Sequence, residues 1–210
     1  MTDLSVVAPA KVNLHLEVLK RRHDGYHEIE TILQAIDLQD CLEVTLDERL
    51  PAGPPAIDLL VRPVGAAPED ATNLCWRAAE AFCQDPGVSG RLPSVLEKAI
   101  PSGAGLGGGS SDAMAVIMAC DRLFGTALEL ADLERIGALL GSDVPFFAVG
   151  GTQLGRGRGT KLTRLATPKQ AGFVVLKPGF GVTPGIAYAA LTTPFTPRAP
   201  PPTQPVRHPF

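Results

Sequence analysis

The 210-residue chain has no apolar run approaching the roughly 18–20 residues that a bilayer-spanning helix needs. Its opening MTDLSVV lacks the basic stretch before an apolar one that marks a secretory leader, so a cytoplasmic location is expected, or the plastid stroma for a plant source. Positive charge is not in surplus either. Lys and Arg number 19 against 22 Asp and Glu, and a net charge of -3 supplies no global field to recruit nucleic acid or an anionic membrane. Neither is expected as a partner, and any anionic ligand must be held by local features. Metal-ligand spacing is sparse as well: Cys41, Cys75, Cys83 and Cys120 form no CxxC pair, and among His15, His23, His27 and His208 only His23 and His27 are spaced HxxxH, across the Asp24-Gly25 turn signal rather than on one helix face. Buried free thiols are expected, and no structural zinc.

Among the residues that are there, 45% are apolar, enough for a sizeable core. AKVNLHLEV alternates strictly, predicting a half-buried strand with Ala10, Val12, Leu14, Leu16 and Val18 on the core face. Lys11, Asn13, His15 and Glu17 share the other face. Asp24-Gly25 signals a turn, after which apolar runs return to the β-rich CLEVTL. Residues 51–71 read as loop, strand (IDLLV) and loop, leading to a helix in NLCWRAAEAFCQ. A second helix follows from Ala113 to Phe124, closed by Gly125, and LADLERIGALLG is a third. TQLGRGRGTKLTRL alternates around glycines like a hairpin, and GFVVLKPG reads as a buried strand. From Thr192 onward prolines dominate, and this tail is expected to be extended or disordered.

The chemistry concentrates at PSGAGLGGGSSDA, residues 101–113, which runs straight into the second helix. Without Cβ atoms, backbone N–H groups can converge on an anion, and the helix adds the positive end of its dipole. The competing reading is a flexible turn whose serines merely cap the helix. A Walker A loop is excluded because no lysine follows the glycines. Gly103, Gly105 and Gly108 satisfy GxGxxG, but Pro101 and Ser102 intervene after SVLEKAI and the preceding chain shows no βαβ order, so a dinucleotide fold is rejected.

The glycine stretch resembles the phosphate loop of the GHMP kinases. PAKVNLHLEVLKRRHDGYHEIET, LGSDVPFF and GRGRGTKLTRL, in that order, are similar to motifs of the 4-diphosphocytidyl-2-C-methyl-D-erythritol kinase family within that group. The resemblance implies an α+β GHMP kinase fold: an N-terminal ribosomal-protein-S5-like sheet with helices over 1–165, the start of a ferredoxin-like C-terminal domain over 166–191, and the tail over 192–210. It implies ATP-dependent phosphorylation of the 2-hydroxyl of a cytidine diphospho sugar alcohol, with Mg²⁺ as the counterion of ATP. Asp143 becomes the base or orienter of the acceptor hydroxyl and Lys11 its charged partner, where local sequence alone suggests a turn cap and a solvated lysine. Pro101, Ser102, Gly103, Ala104, Gly105, Leu106, Gly107, Gly108, Gly109, Ser110 and Ser111 become the ATP cradle. Asn13, Tyr26, His27 and Thr183 are assigned to the small-molecule substrate, Tyr26 and His27 as the cytidine-recognising pair. Lys98 is read as a solvent lysine within reach of nucleotide, and Asp112 as a first-turn carboxylate stabilised by the helix dipole, not a metal ligand. A GHMP kinase for another small alcohol and an inactive nucleotide-binding module stand as alternatives.

Overall fold

Two twenty-residue strands, β1 (Thr2–Arg21) and β2 (His27–Leu46), form an antiparallel hairpin that is the spine of the molecule. Their turn is built as its residues dictate. Gly25 takes φ +84°, the Asp24 carboxylate accepts the Tyr26 N–H at 3.1 Å, and Arg22 reaches both Asp24 and Glu28. The structure is a computed structural model describing residues 2–47, 56–84, 90–167, 171–182 and 184–191. Thr183 and the proline-rich tail lie outside the described residues.

β2 pairs with two different strands along the edge opposite β1. Its C-terminal half, Cys41–Val44, pairs with β4 (Arg91–Glu97), whereas Ile29–Gln34 pairs with β5 (Thr152–Gly157). The sheet forks between these segments. β3 (Ala56–Arg62) extends one arm and β6 (Lys161–Leu165) the other, giving the order β3-β4-β2-β5-β6 with β1 on β2. The fork is where the glycine stretch enters, directly after β4.

One face of the sheet is covered by α1 (Leu74–Phe82), α2 (Gly108–Phe124) and α3 (Leu130–Leu140), followed by a 3₁₀ helix, Val144–Ala148. α1 starts where Asn73 accepts the Cys75 N–H at 2.9 Å. α2 ends at Gly125, left-handed at φ +65°. Leu42, Val44, Ile57, Val61, Leu92 and Leu96 from the sheet meet Val116, Ile117, Cys120 and Phe146 in one apolar cluster. A short helix, α4 (Pro184–Ala189), lies outside it.

Three expectations change. β3, α1 and β4 form a βαβ unit, because β3 and β4 are parallel and α1 connects them. Its apolar signal is short and masked by the Pro, Gly and Ala around it. The remaining named strand pairs are antiparallel, so the sheet is still not a dinucleotide-binding one. The alternation in β1 also fails to sort core from solvent: Leu14 and Leu16 are about half exposed while Lys11 is buried. Register shifts between Pro9 and Lys11 and between Asn13 and His15 break the two-residue period, and both core clusters leave out Leu14 and Leu16. GFVVLKPG forms no strand, and Val174 and Leu176 are 89% and 88% exposed. An apolar run becomes a buried strand only beside pairing partners, and no strand pairing engages this one among the described residues.

Core and surface leucines should therefore respond differently. Leu42→Ala in the central strand, where Leu42 is fully buried, should lower unfolding free energy by about 2–5 kcal/mol. Leu139→Ala on the open side of α3 should stay within about 0.5 kcal/mol in the same urea titration.

Candidate active site

The bulge at Pro9–Lys11 frees the Lys11 N–H from the β1–β2 ladder, and it donates instead to the Leu106 carbonyl at 2.9 Å. The glycine stretch is thereby tied to β1 beside the fork. Within it Gly103, Gly105 and Gly107 have φ of +66°, +73° and +72°, alternating with residues of ordinary φ. Such alternation turns successive N–H groups toward one concavity, the geometry that receives an anion. Gly107 is also needed for room, since a Cβ there would lie 3.0 Å from both Lys11 Cγ and Phe147 Cζ. Gly181 passes against the loop as well, where an added Cβ would stand 3.3 Å from the Gly103 carbonyl.

α2 begins at Gly108, with Gly107 as its cap and no side-chain capping bond. Ser110 and Ser111 are helical residues, not caps, so that alternative fails. Ser111 Oγ is buried without a hydrogen-bond partner, leaving a donor at the base of the loop. Asp112 is the fifth residue of α2 and does not sit in its first turn.

The Lys11 ammonium donates to Asn13 Oδ1 at 2.7 Å and lies 3.5 Å from Asp143 Oδ2. Asn13 Nδ2 donates to Thr31 Oγ1, which donates to the His15 carbonyl, both at 2.7 Å. This chain fixes the rotamer of Asn13 and through it the ammonium. The Lys11 side chain is 8% exposed and the Asp143 carboxylate 44%, so the cation is sheltered while its partner opens to a ligand. Asp143 precedes the 3₁₀ helix without capping it. The structure thus brings together Lys11, Asn13, Asp143 and the loop, and both local alternatives, turn cap and solvated lysine, fail.

Tyr26 and His27 stand at the hairpin tip. The Arg158 guanidinium lies 3.4 Å from the centroid of the Tyr26 ring, and His27 stacks on Tyr188 of α4 with centroids 5.0 Å apart. Burial, with the negative charge of Asp143 adding to it, pushes the Tyr188 hydroxyl up. Neither Tyr188 nor Arg158 is assigned a role from the sequence, although Arg158 lies within the GRGRGTKLTRL stretch.

Lys98 is the clearest correction. It is not a solvent lysine: its side chain is 5% exposed, donating to Asp112 Oδ2 at 2.7 Å and to Asp40 Oδ2. Asp40 Oδ1 also accepts the N–H groups of Ala99 and Ile100 at 2.6 and 2.8 Å. Asp112 Oδ1 has no donor. Burial pushes Asp112 up to about 7, against the pull of Lys98 and with the push of Asp40. Burial alone would lower Lys98, but the two carboxylates outweigh it and raise the ammonium. The four cysteines are free, but only Cys75 and Cys120 are buried; Cys41 and Cys83 are half-buried.

The family model for the GHMP kinases N terminal domain matches residues 73–151, which hold the loop and Asp143. A 4-diphosphocytidyl-2-C-methyl-D-erythritol kinase of Pelotomaculum thermopropionicum is 42% identical over 93% of this chain and 66% of its own length. This chain belongs to the GHMP kinase family. Within the family, relatives of the same name from Heliobacterium modesticaldum and Solibacter usitatus are 42% and 46% identical, covering 92% and 88% of this chain and 60% and 56% of theirs. The crystal structure of a 4-(cytidine 5'-diphospho)-2C-methyl-D-erythritol kinase superposes with a TM-score of 0.62 at 40% identity, covering 79% of this chain and 56% of that one. The mevalonate kinase of Methanococcus jannaschii, 16% identical with a TM-score of 0.58 over 79% of this chain and 56% of its own, shares the fold. The chain spans 56–66% of the length of the curated relatives named here. Among the described residues of this family member, no helix is long and apolar enough to cross a membrane.

The loop and the ion cluster can be tested separately. Gly107→Ala imposes a left-handed φ on alanine, which alone costs about 1–2 kcal/mol, and adds the Lys11 and Phe147 contacts, so its urea midpoint should fall. For Asp112 the folded carboxyl sits above its ordinary 3.8, so its proton favours the folded state and its contribution declines as pH rises from about 4 to about 7. Asp112→Asn should accordingly gain on the wild type across that window, by at most about 1.4 kcal/mol per pH unit, in denaturation curves recorded at each pH.

Proposed function

We propose that this chain carries the phosphoryl-transfer centre of an ATP-dependent kinase acting on the 2-hydroxyl of 4-diphosphocytidyl-2-C-methyl-D-erythritol, a step in the non-mevalonate supply of isoprenoid precursors. The observation that carries the reading is Lys11, whose ammonium stands 3.5 Å from Asp143 while its own backbone N–H holds the glycine loop. One residue thus joins anion cradle, cation and carboxylate.

The co-substrate is ATP, for which Mg²⁺ would serve as the counterion, offsetting phosphate charge. The N–H groups of residues 101–111 and the start of α2 receive the triphosphate, with Ser111 Oγ as a further donor. Lys11 offsets charge that builds on the transferring phosphoryl group, and Asn13 holds it in place. Asp143 accepts the proton of the acceptor hydroxyl as the new P–O bond forms and the bond to ADP breaks. The proton then leaves to solvent across the exposed side of the carboxylate.

The cytosine is placed at the hairpin tip, stacking on Tyr26 and hydrogen-bonding to His27, with Tyr188 completing the aromatic surroundings. Tyr26 is half exposed and can still offer ring surface. Thr183 retains its assignment to the substrate.

Asp143→Asn should lower kcat by about 10²- to 10⁴-fold in an ADP-release assay while leaving ATP affinity within twofold. Turnover within a few-fold of wild type would remove Asp143 as the base. Tyr26→Ala should lose about 1–3 kcal/mol of stacking, raising KM about 5- to 150-fold for the cytidylyl substrate and leaving that for ATP unchanged. Homoserine and mevalonate serve as controls, and phosphorylation of either in preference would overturn the substrate assignment.

A further inference from the structure

The glycine loop is gripped at both ends by one buried ion cluster that the reaction itself does not use. Asp40 on β2 holds the entry to the loop through the N–H groups of Ala99 and Ile100, while Asp112, in the second turn of α2, holds the exit through Lys98. The three side chains are 0%, 3% and 5% exposed for Asp40, Asp112 and Lys98. Lys98 lies close beneath the first residue of α2, since a Cβ on Gly108 would come 3.3 Å from its Nζ.

The cluster holds two carboxylates and one ammonium. With all three ionised it carries an excess negative charge, buried under amides arranged to attract an anion. A polyphosphate entering the loop meets that excess across a low-dielectric interior. Protonating one carboxylate removes it. Asp112 is the member built to take the proton, because its Oδ1 is buried without a donor while every Asp40 oxygen accepts a bond. The titratable groups facing Asp112 are Lys98 at the end of β4, Asp40 on β2 and the Cys75 thiol on α1, which burial and Asp112 together push up. None of the three is free to compensate a nearby anion, as Lys98 is already shared, Asp40 is a like charge and Cys75 is held neutral.

We infer that the Asp40–Lys98–Asp112 cluster positions the phosphate loop and couples it to a proton: filling the loop with a polyphosphate drives the Asp112 carboxylate to take up H⁺ from solvent. No other bond changes. Burial pushes Asp112 from its ordinary 3.8 up to about 7, which makes the coupling measurable near neutrality. This inference rests on the nucleotide-binding reading above.

Titration calorimetry of ATP with excess Mg²⁺ into the purified chain at pH 7, in two buffers of different ionisation enthalpy, reads the proton directly. The wild type should take up a few tenths of a proton, and its affinity should weaken about fivefold from pH 6 to pH 8, the change produced by a one-unit rise at Asp112. Asp112→Asn should take up none beyond the ligand's own and keep nearly constant affinity over that range. Tight binding by the wild type with no proton uptake would overturn the coupling, and equal uptake in Asp112→Asn would overturn the residue. Absence of ATP binding by the wild type would instead remove the nucleotide reading itself. The wild-type measurement stands even if the variant folds poorly.

Discussion

A single backbone hydrogen bond, from Lys11 N–H to the Leu106 carbonyl, ties the first strand to the loop that follows β4. It exists because a bulge withdraws Lys11 from the ladder, and it dictates much of what surrounds it. It puts the Lys11 side chain against Gly107, where only a glycine fits. The ammonium then lies beside Asp143, delivered from the far side by the turn after α3. The close approach of strand and loop leaves the lysine side chain only 8% exposed, and Asn13, itself held by Thr31, orients the ammonium.

The fork in the sheet is the second constraint. Because β2 pairs with β4 over one segment and β5 over another, the residues between them lack a continuous partner strand on that edge. Asp40 exploits this by bonding the N–H groups of Ala99 and Ile100 as they leave β4. A side chain thus does the work of a missing strand. The cost is a buried carboxylate, and Lys98 answers it.

Much of this was legible in the residues. The glycine run, the Asp24-Gly25 turn and the periodicity of the three main helices are local signals, and local geometry follows from them. The pairing of Lys11 with Asp143 is not local and was reached through resemblance to a family. What escaped was whatever depends on register or long-range burial. Strict alternation from Ala10 to Val18 suggested one continuous apolar face, but bulges change which side chains point inward without altering the composition of the strand. Lys98 reads as a surface lysine because its partners lie 58 and 14 residues away. Tyr188 carries no motif and gains meaning only by stacking on His27.

The hairpin also has a consequence for length. Tyr26 and His27 at its tip and Lys11 within its first strand belong to one continuous ribbon, curled by register shifts at Pro9–Lys11, Asn13–His15 and Val18–Lys20. On the proposed function the ribbon acts as a ruler between a base held at its tip and a phosphoryl group held at Lys11. Strand geometry graduates it coarsely. Side chains keep their faces only if residues are added or removed in pairs, so the span can change only in steps of about 7 Å. A ligand lengthened by a single bond gains nothing from such a step, and finer adjustment is left to the bulges, which alter curvature without changing the count.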